Sequence, residues 1–260
     1  MQKPKFIVNR YGGKTKMASW IVSKLPAHKC YVEPFAGSLA VLFKKEQSEN
    51  EIVNDKDKNL IRVYETIRKY PQELAALLYF TPHSNANTKD VQWSEDDLEF
   101  SRQYIAKRQQ LFNGCENTST YGCEYQGGPK IKAWKNFYTR VLPAAERLRN
   151  VCILCEDYQK TLNRVKDKKD VIVYCDPPYR KLQKERKGGV YNENDYDYYE
   201  FIEIVKSMNC NIAISEYDYI KEDLKDWNHH EYRCLSTAAT SGFGHRGTAR
   251  EKLEILACNY

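Results

Sequence analysis

The chain has 260 residues, a formal net charge of +6, 13% aromatic residues and a sequence pI near 8.7. That length can bury a substantial core, as one large domain or one domain with an insert, and the mild basic excess suits nucleic acid without demanding it. No apolar run is long enough to span a bilayer, and Met1-Gln2-Lys3-Pro4-Lys5 leads into no signal peptide, so no membrane partner and a cytoplasmic location are expected.

Nine cysteines are an odd count, and Cys152, Cys175, Cys210 and Cys258 lie in or beside apolar runs. They read as small buried hydrophobes in a reducing compartment. Cys152-Ile153-Leu154-Cys155 has C-x-x-C spacing but alternates like a strand, and no second pair follows, so no metal site is expected.

In chain order, the apolar run Phe6-Ile7-Val8 precedes Tyr11-Gly12-Gly13-Lys14, a Gly-Gly turn opening a helical pattern of Met17, Trp20, Ile21 and Leu25 that Pro26 stops. Such a turn lets a ligand approach the backbone, and Lys14 adds a positive charge there; an ordinary turn with a surface lysine has the same pattern. Cys30-Tyr31-Val32-Glu33 reads as a strand and Pro34-Phe35-Ala36-Gly37-Ser38 as a turn into a helix over Leu39 to Lys45, the opening unit of a doubly wound nucleotide-binding fold. The next strand, Glu51-Ile52-Val53-Asn54, ends in Asp55, where such folds place an acid for ribose hydroxyls.

Leu60, Ile61, Tyr64 and Ile67 recur at helical spacing, as in a helix packed on a sheet. From Pro71 the character changes: residues 81 to 99 are polar and mostly acidic, Phe100 to Phe112 reads as helix, and Asn113 to Pro129 mixes glycines with Tyr121 and Tyr125. A loop of that kind is too long for a compact sheet domain, so residues 71 to 149 read as an inserted module between the catalytic segments 1–70 and 150–260. Residues 101 to 149 hold nine Lys or Arg against three Glu, and with the tyrosines and an exposed Trp134 they suit phosphate contact and base stacking. Lys130 and Lys132 are candidate contacts to nucleic acid, although a solvated basic helix has the same composition.

The sheet resumes at Val151-Cys152-Ile153-Leu154, with Glu156-Asp157-Tyr158 beyond its end. Val171-Ile172-Val173-Tyr174-Cys175 then reads as a buried strand stopped by Asp176-Pro177-Pro178-Tyr179. The prolines hold the turn rigid and leave carbonyls free, so Asp176 and the Pro177 carbonyl can accept the two hydrogens of an exocyclic NH2 while Tyr179 stacks on the ring that bears it. Residues 180 to 189 carry five basic residues against one acid, Arg180 and Lys181 leading, and read as a loop along which a polyanion's backbone passes. Phe201, Ile202, Ile204 and Val205 mark a helix before the strand Cys210 to Ser215, beyond which lie Glu216 and Asp218. A terminal pair of strands, Glu231 to Leu235 and Leu253 to Cys258, is joined by a polar loop from Ser236 to Arg250. That loop, with His245, Arg246 and Arg250, is either disordered or a flap on the substrate.

Tyr11-Gly12-Gly13-Lys14, Val32 to Ser38, Asn54-Asp55, Asp157-Tyr158 and Val173 to Tyr179, in this order, resemble the Dam-like DNA N6-adenine methyltransferases, and Arg250 and Glu254 resemble that family's closing hairpin. The resemblance implies a class I methyltransferase fold: an α/β, doubly wound, mostly parallel sheet with a reversed last strand, and a mainly helical inserted target-recognition domain. It implies S-adenosylmethionine as donor, double-stranded DNA as substrate, and a target adenine flipped into the pocket. Carried over by residue, Arg10 or Tyr11 and Lys14 line the donor's methionine end beside Phe35-Ala36-Gly37 and Glu33, Asp55 holds the ribose, and Asp157 with Tyr158 borders the donor's adenine. Asp176, Pro177 and Tyr179 form the catalytic turn. Tyr121, Tyr125, Lys130, Lys132, Arg180, Lys181, Arg246 and Arg250 are the expected DNA contacts. A restriction endonuclease acting alongside the chain and a monomeric state are further expectations. The competing readings are a DNA cytosine-N4 methyltransferase and a catalytically silent module that only binds nucleic acid.

Overall fold

Seven strands form a single sheet: β1 (Cys30–Glu33), β2 (Asn50–Asn54), β3 (Val151–Leu154), β4 (Val171–Cys175), β5 (Asn211–Glu216), β6 (Asn228–Ser236) and β7 (Arg250–Cys258). Their order is β3-β2-β1-β4-β5-β7-β6. All neighbours pair in parallel except β7, which runs antiparallel to both β5 and β6. The expected doubly wound sheet with a reversed last strand is therefore borne out. The computed structural model describes residues 4–10, 12–111, 129–179, 196–236 and 250–260.

Alternation along the strands divides the core in two. Tyr31, Val53, Ile172, Tyr174, Ala213 and Leu256 point to one face, and Val32, Val173, Cys175, Ile212, Ile214 and Ile255 to the other. The first face is covered by α1 (Ala18–Val22), α2 (Lys58–Lys69), α3 (Pro71–Phe80), α4 (Asp97–Gln110), α5 (Pro129–Lys135) and α6 (Val141–Leu148). The second is covered by α7 (Tyr158–Val165), α8 (Tyr198–Lys206) and the short α9 (Ile220–Asp223). With both faces covered, β4 is buried at every position, which is why it is apolar without alternation. No helix among the described residues is long and apolar enough to cross a membrane.

Aspartates start the helices that leave the carboxyl edge of the sheet. Asp57 accepts from the backbone N–H of Asn59 and Leu60, Asp157 from Gln159, and Asp197 from Tyr199 and Glu200. Each such cap is worth about 1 kcal/mol, and each fixes the angle at which the chain leaves its strand or loop.

Four sequence expectations change. Leu39 to Lys45 forms consecutive turns instead of a helix, because Leu39 sits at φ 53, outside the helical region, although Phe43 and Lys45 still donate to the carbonyls of Leu39 and Val41. Trp134 is 9% exposed, stacked on Phe137 with its Nε1 donating to the Thr81 carbonyl at 2.8 Å; it is a core residue rather than an exposed stacking platform. Cys152 is exposed, because it points outward from β3 at the edge of the sheet, whereas Cys175, Cys210 and Cys258 are buried as expected. Glu216 is the last residue of β5 and fully buried, not beyond the strand.

Candidate active site

The carboxyl ends of β1, β2 and β4 meet around a cavity of about 380 Å³. Its position follows from topology: β1 and β4 are adjacent at the centre of the sheet, and the chain leaves them towards different neighbours, which opens a crevice between the two exits. Asn54, fully buried, stitches the edge together. Its side-chain amide donates to the carbonyls of Pro34 and Glu156 at 3.1 and 3.0 Å and accepts from the Glu156 N–H at 2.9 Å, so the exits of β1, β2 and β3 are tied through one side chain.

The turn after β1 is held from two directions. Gly37 adopts φ 47, a left-handed conformation that costs a non-glycine residue about 1–2 kcal/mol. Its N–H donates to Asp55 Oδ2 at 2.9 Å and its carbonyl accepts from the Tyr64 hydroxyl at 2.6 Å. Asp55 takes a second backbone N–H, from Asp57, on Oδ1 at 3.0 Å. Burial raises the Asp55 pKa against the pull of Arg10 and of these two donors. Arg10 pairs with Asp57 at 3.1 Å, which places its guanidinium on the same wall of the cavity.

The Gly-Gly turn is packed against the turn after β1. A Cβ on Gly13 would lie 3.1 Å from the Arg10 carbonyl and 3.3 Å from Ser38 Oγ, so a side chain there would press the two turns apart by a few tenths of an ångström. The Lys14 carbonyl begins α1 by accepting from Met17 and Ala18, and its side chain turns back into the site. Its buried ammonium contacts Asp176 Oδ1 at 2.7 Å, the Gly12 carbonyl at 2.9 Å and Glu254 Oε2 at 3.8 Å, and it lies 4.7 Å from the Tyr179 ring centre. Lys14, expected at the donor's methionine end, is thus also the direct partner of the Asp176 carboxylate.

Tyr179 is 6% exposed, with its hydroxyl donating to Glu254 at 3.1 Å and its ring edge-to-face with Tyr217 at 4.7 Å. Glu33, 3% exposed, lines the cavity beside Asp176 and accepts from the Tyr31 hydroxyl at 2.8 Å. Burial pushes its carboxyl up to about 8, with the nearby Asp176 charge adding to the rise. An aromatic wall closes another side. Phe35 lies 5.1 Å from Tyr158 and 5.8 Å from Tyr196, and all three line the cavity.

Arg10, Lys14, Glu33, Phe35, Gly37, Asp55, Tyr158, Asp176, Pro177 and Tyr179 all line this one cavity. Asp157 does not line it; that carboxylate caps α7 and lies 3.9 Å from Lys56. Lys132 is exposed on α5 and takes no part in the cavity wall. Tyr11, Tyr121, Tyr125, Arg180, Lys181 and Arg246 lie outside the described residues, as do the side chains of Lys130 and Arg250. Tyr196 and Tyr217 are additions that the sequence reading misses, yet Tyr217 directly follows β5, the same strand-end position that singles out Asp55 and Asp176.

Residues 11–237 match the family model for D12 class N6 adenine-specific DNA methyltransferase. The chain is 28% identical over 207 residues to a DNA adenine methylase of Escherichia coli strain K12, covering 75% of this chain and 72% of that protein. It is 23% identical over 248 residues to a DNA adenine methylase of Serratia marcescens, covering 88% and 89% of the two chains. The match takes in the Gly-Gly turn, the turn after β1, Asp55 and the Asp176 turn, and with them every cavity-lining residue but Arg10; the chain belongs to the D12 class N6 adenine-specific DNA methyltransferases.

Proposed function

We propose that the chain is a site-specific DNA methyltransferase that takes a target adenine out of the duplex and holds its N6 against Asp176 and the Pro177 carbonyl, with residues 71–149 recognising the target sequence. One observation carries the assignment of roles: Asp176 and the turn Pro34 to Gly37 open onto the same cavity from adjacent central strands. A donor held by one is then within reach of an amine held by the other.

The cavity suits S-adenosylmethionine. Its volume of about 380 Å³ falls in the range of small-molecule sites, its charged lining comprises Glu33, Asp55, Asp57 and Asp176 against Arg10, Lys14 and Lys56, and Phe35, Tyr158 and Tyr196 offer ring faces for a purine. When bound, the donor supplies an electrophilic methyl group on a positively charged sulfur. Asp55 is positioned for ribose hydroxyls, and Gly37 brings backbone to the cavity wall without a side chain in the way.

For the acceptor, the difficulty is the amine itself. The N6 lone pair is delocalised into the adenine ring, so the free base is a poor nucleophile. Two acceptors, Asp176 and the Pro177 carbonyl, draw the NH2 hydrogens into a tetrahedral arrangement and turn the lone pair out of the ring plane. So aimed, the N6 lone pair would face the methyl group that the bound donor supplies, and the N–H proton given up on transfer would pass to solvent. The fixed charge of Asp176 stabilises the positive charge that develops on nitrogen, and Lys14 at 2.7 Å holds that carboxylate in one orientation. Tyr179 supplies the wall on which the flipped base rests, offsetting part of the few kcal/mol of unstacking.

Asp176→Ala tests the assignment. It should lower kcat by at least about 10²–10³-fold, the usual loss when one preorganised charge-stabilising group is removed, with donor affinity changed only a few-fold. The readout is N6-methyladenine measured by mass spectrometry in treated DNA. Near-normal activity of the variant would refute the pocket, and N4-methylcytosine in place of N6-methyladenine would refute the substrate.

A further inference from the structure

We infer that Glu33 is the group by which the site tells the charged donor from its product: a neutral acid before the donor binds, it gives its proton to solvent when the sulfonium-bearing donor enters and takes one back once transfer has left a neutral thioether. The inference rests on the donor assignment above and goes beyond it, because donor contact alone requires no change of charge in the protein.

Position makes Glu33 suitable. It ends β1, lines the cavity, and is 3% exposed. Among the described residues no ion pair forms to its carboxylate, and each neighbouring cation is engaged elsewhere. On the Gly-Gly turn, Lys14 contacts Asp176 at 2.7 Å; after the β1 turn, Lys45 contacts Glu51 on β2 at 2.6 Å; on α6, Arg147 also binds Glu51. The remaining ionisable neighbours are Tyr31 on β1, Asp55 after β2, Tyr64 on α2, Tyr174, Cys175 and Asp176 on and after β4, and Glu254 on β7. Of these, the Tyr31 hydroxyl favours the Glu33 anion and the Asp176 charge opposes it.

A carboxyl held near 8 is mostly protonated at neutral pH. A positive charge nearby commonly lowers such a pKa by about 1–3 units, which carries the group through neutrality. The donor bears sulfonium, ammonium and carboxylate, a net charge of +1; the product has lost the sulfonium and is neutral overall. Both carry the ammonium, so the sulfonium makes the donor favour the Glu33 anion more strongly than the product does. Donor affinity should rise with pH by up to about tenfold per unit below the Glu33 pKa and level off above it, while product affinity changes far less. Near neutral pH the arrangement favours release of product once the sulfur is neutral.

The test is isothermal titration calorimetry of the full chain with S-adenosylmethionine and with S-adenosylhomocysteine, in phosphate and in Tris, whose different ionisation heats report proton release. At pH 7 the donor should release about 0.4–0.9 proton more than the product, for a drop of about 1–3 units from a value near 8, and the difference should vanish by roughly pH 9. The donor's own amino group titrates in the same range, so Glu33→Gln is the reference: it should bind donor without that proton. Tyr31→Phe removes the hydroxyl that favours the anion and should move the release to higher pH. Equal proton counts for donor and product, unchanged release in Glu33→Gln, or an unshifted profile in Tyr31→Phe overturns the inference. Donor binding without the extra proton overturns it alone, whereas no donor binding at all overturns the donor assignment with it.

Discussion

Glu51→Gln should destabilise the protein by several kcal/mol, because one buried carboxylate serves two buried cations. The Glu51, Lys45 and Arg147 side chains are 1%, 3% and 9% exposed. Glu51 accepts from Lys45 at 2.6 Å, from Arg147 Nη2 at 2.8 Å and from the Ser48 N–H at 3.1 Å, and its second oxygen pairs with Arg147 Nη1. Glutamine keeps the shape, removes the charge and turns an NH2 towards one of the cations. Lys45 would retain the Glu46 carbonyl and Ser48 Oγ, and Arg147 the Leu42 carbonyl, so both stay hydrogen-bonded but lose their counter-ion. Removing one partner of a buried pair costs about 3–5 kcal/mol, which at about 2–4 °C per kcal/mol lowers Tm by roughly 6–20 °C.

Urea unfolding followed by circular dichroism measures the loss, and pH supplies an internal check. Burial pushes the Glu51 carboxyl up, but hydrogen bonds from Arg147, Lys45 and Ser48 outweigh it and the net pKa is lowered. Burial pulls the Lys45 ammonium down as well, so both pKa values fall, which favours the charged form of Glu51 and disfavours that of Lys45; the stabilising side is the anion, which has two cations where Lys45 faces the repelling Arg147. A depressed carboxylate stabilises above its unfolded pKa, about 4.3, and that stabilisation is lost as pH falls through the lower folded value. The wild type should therefore approach Glu51→Gln on acidification. A loss below about 1 kcal/mol at neutral pH, the value of an exposed pair, would refute the reasoning.

Three further outcomes follow from the site and its surroundings. Asp55→Asn should weaken donor binding by about 10–100-fold, the worth of charged hydrogen bonds to the ribose. Because burial raises the Asp55 pKa, wild-type affinity should begin to fall on acidification above the ordinary aspartate value of about 3.9, and the variant should lack that acid limb; the same limb in both would exclude Asp55. Replacing the exposed Lys132 and Lys135 with alanine should lower the salt dependence of DNA binding by about 0.9 for each phosphate no longer neutralised, whereas Trp134→Ala should cost about 3–5 kcal/mol of stability. An unchanged salt slope would remove α5 from the DNA interface, and a stable Trp134→Ala with poor DNA binding would return Trp134 to it.

What the sequence discloses and what it hides have separate physical causes. The strands are legible because parallel strands covered on both faces must be continuously apolar, and the acids at their ends, Asp55 and Asp176, are legible because ligand sites form at that edge. Composition misleads where burial decides the role. The basic segment 101–149 reads as a polyanion surface, yet Arg102 pairs with Glu99, Arg147 with Glu51, and Arg140 donates to the Phe6 carbonyl over the Phe137 ring. Trp134 reads as exposed among glycines and lysines because nothing local announces that its indole N–H meets the Thr81 carbonyl. Leu39 to Lys45 has helical spacing, but the anchoring of Gly37 by Asp55 and Tyr64 places Leu39 shortly after a left-handed residue and in the left-handed region itself.

The contacts of Lys14 are hidden for a topological reason that also accounts for the reversed strand. A parallel strand presents its last residues at the carboxyl edge, as β4 does with Asp176. A reversed strand presents its first residues there: β7 pairs Ile255 with Glu216 at the end of β5, so Glu254, one residue earlier, reaches the active edge while Cys258 lies at the opposite one beside Ala213. Inserting β7 between β5 and β6 in this sense brings a carboxylate to Lys14 and to the Tyr179 hydroxyl, and a parallel strand in the same place would instead bring its last residues to the active edge. The direction of one strand therefore decides which residues complete the wall around Asp176, and hydrophobic periodicity, which is the same in both directions, carries no trace of it.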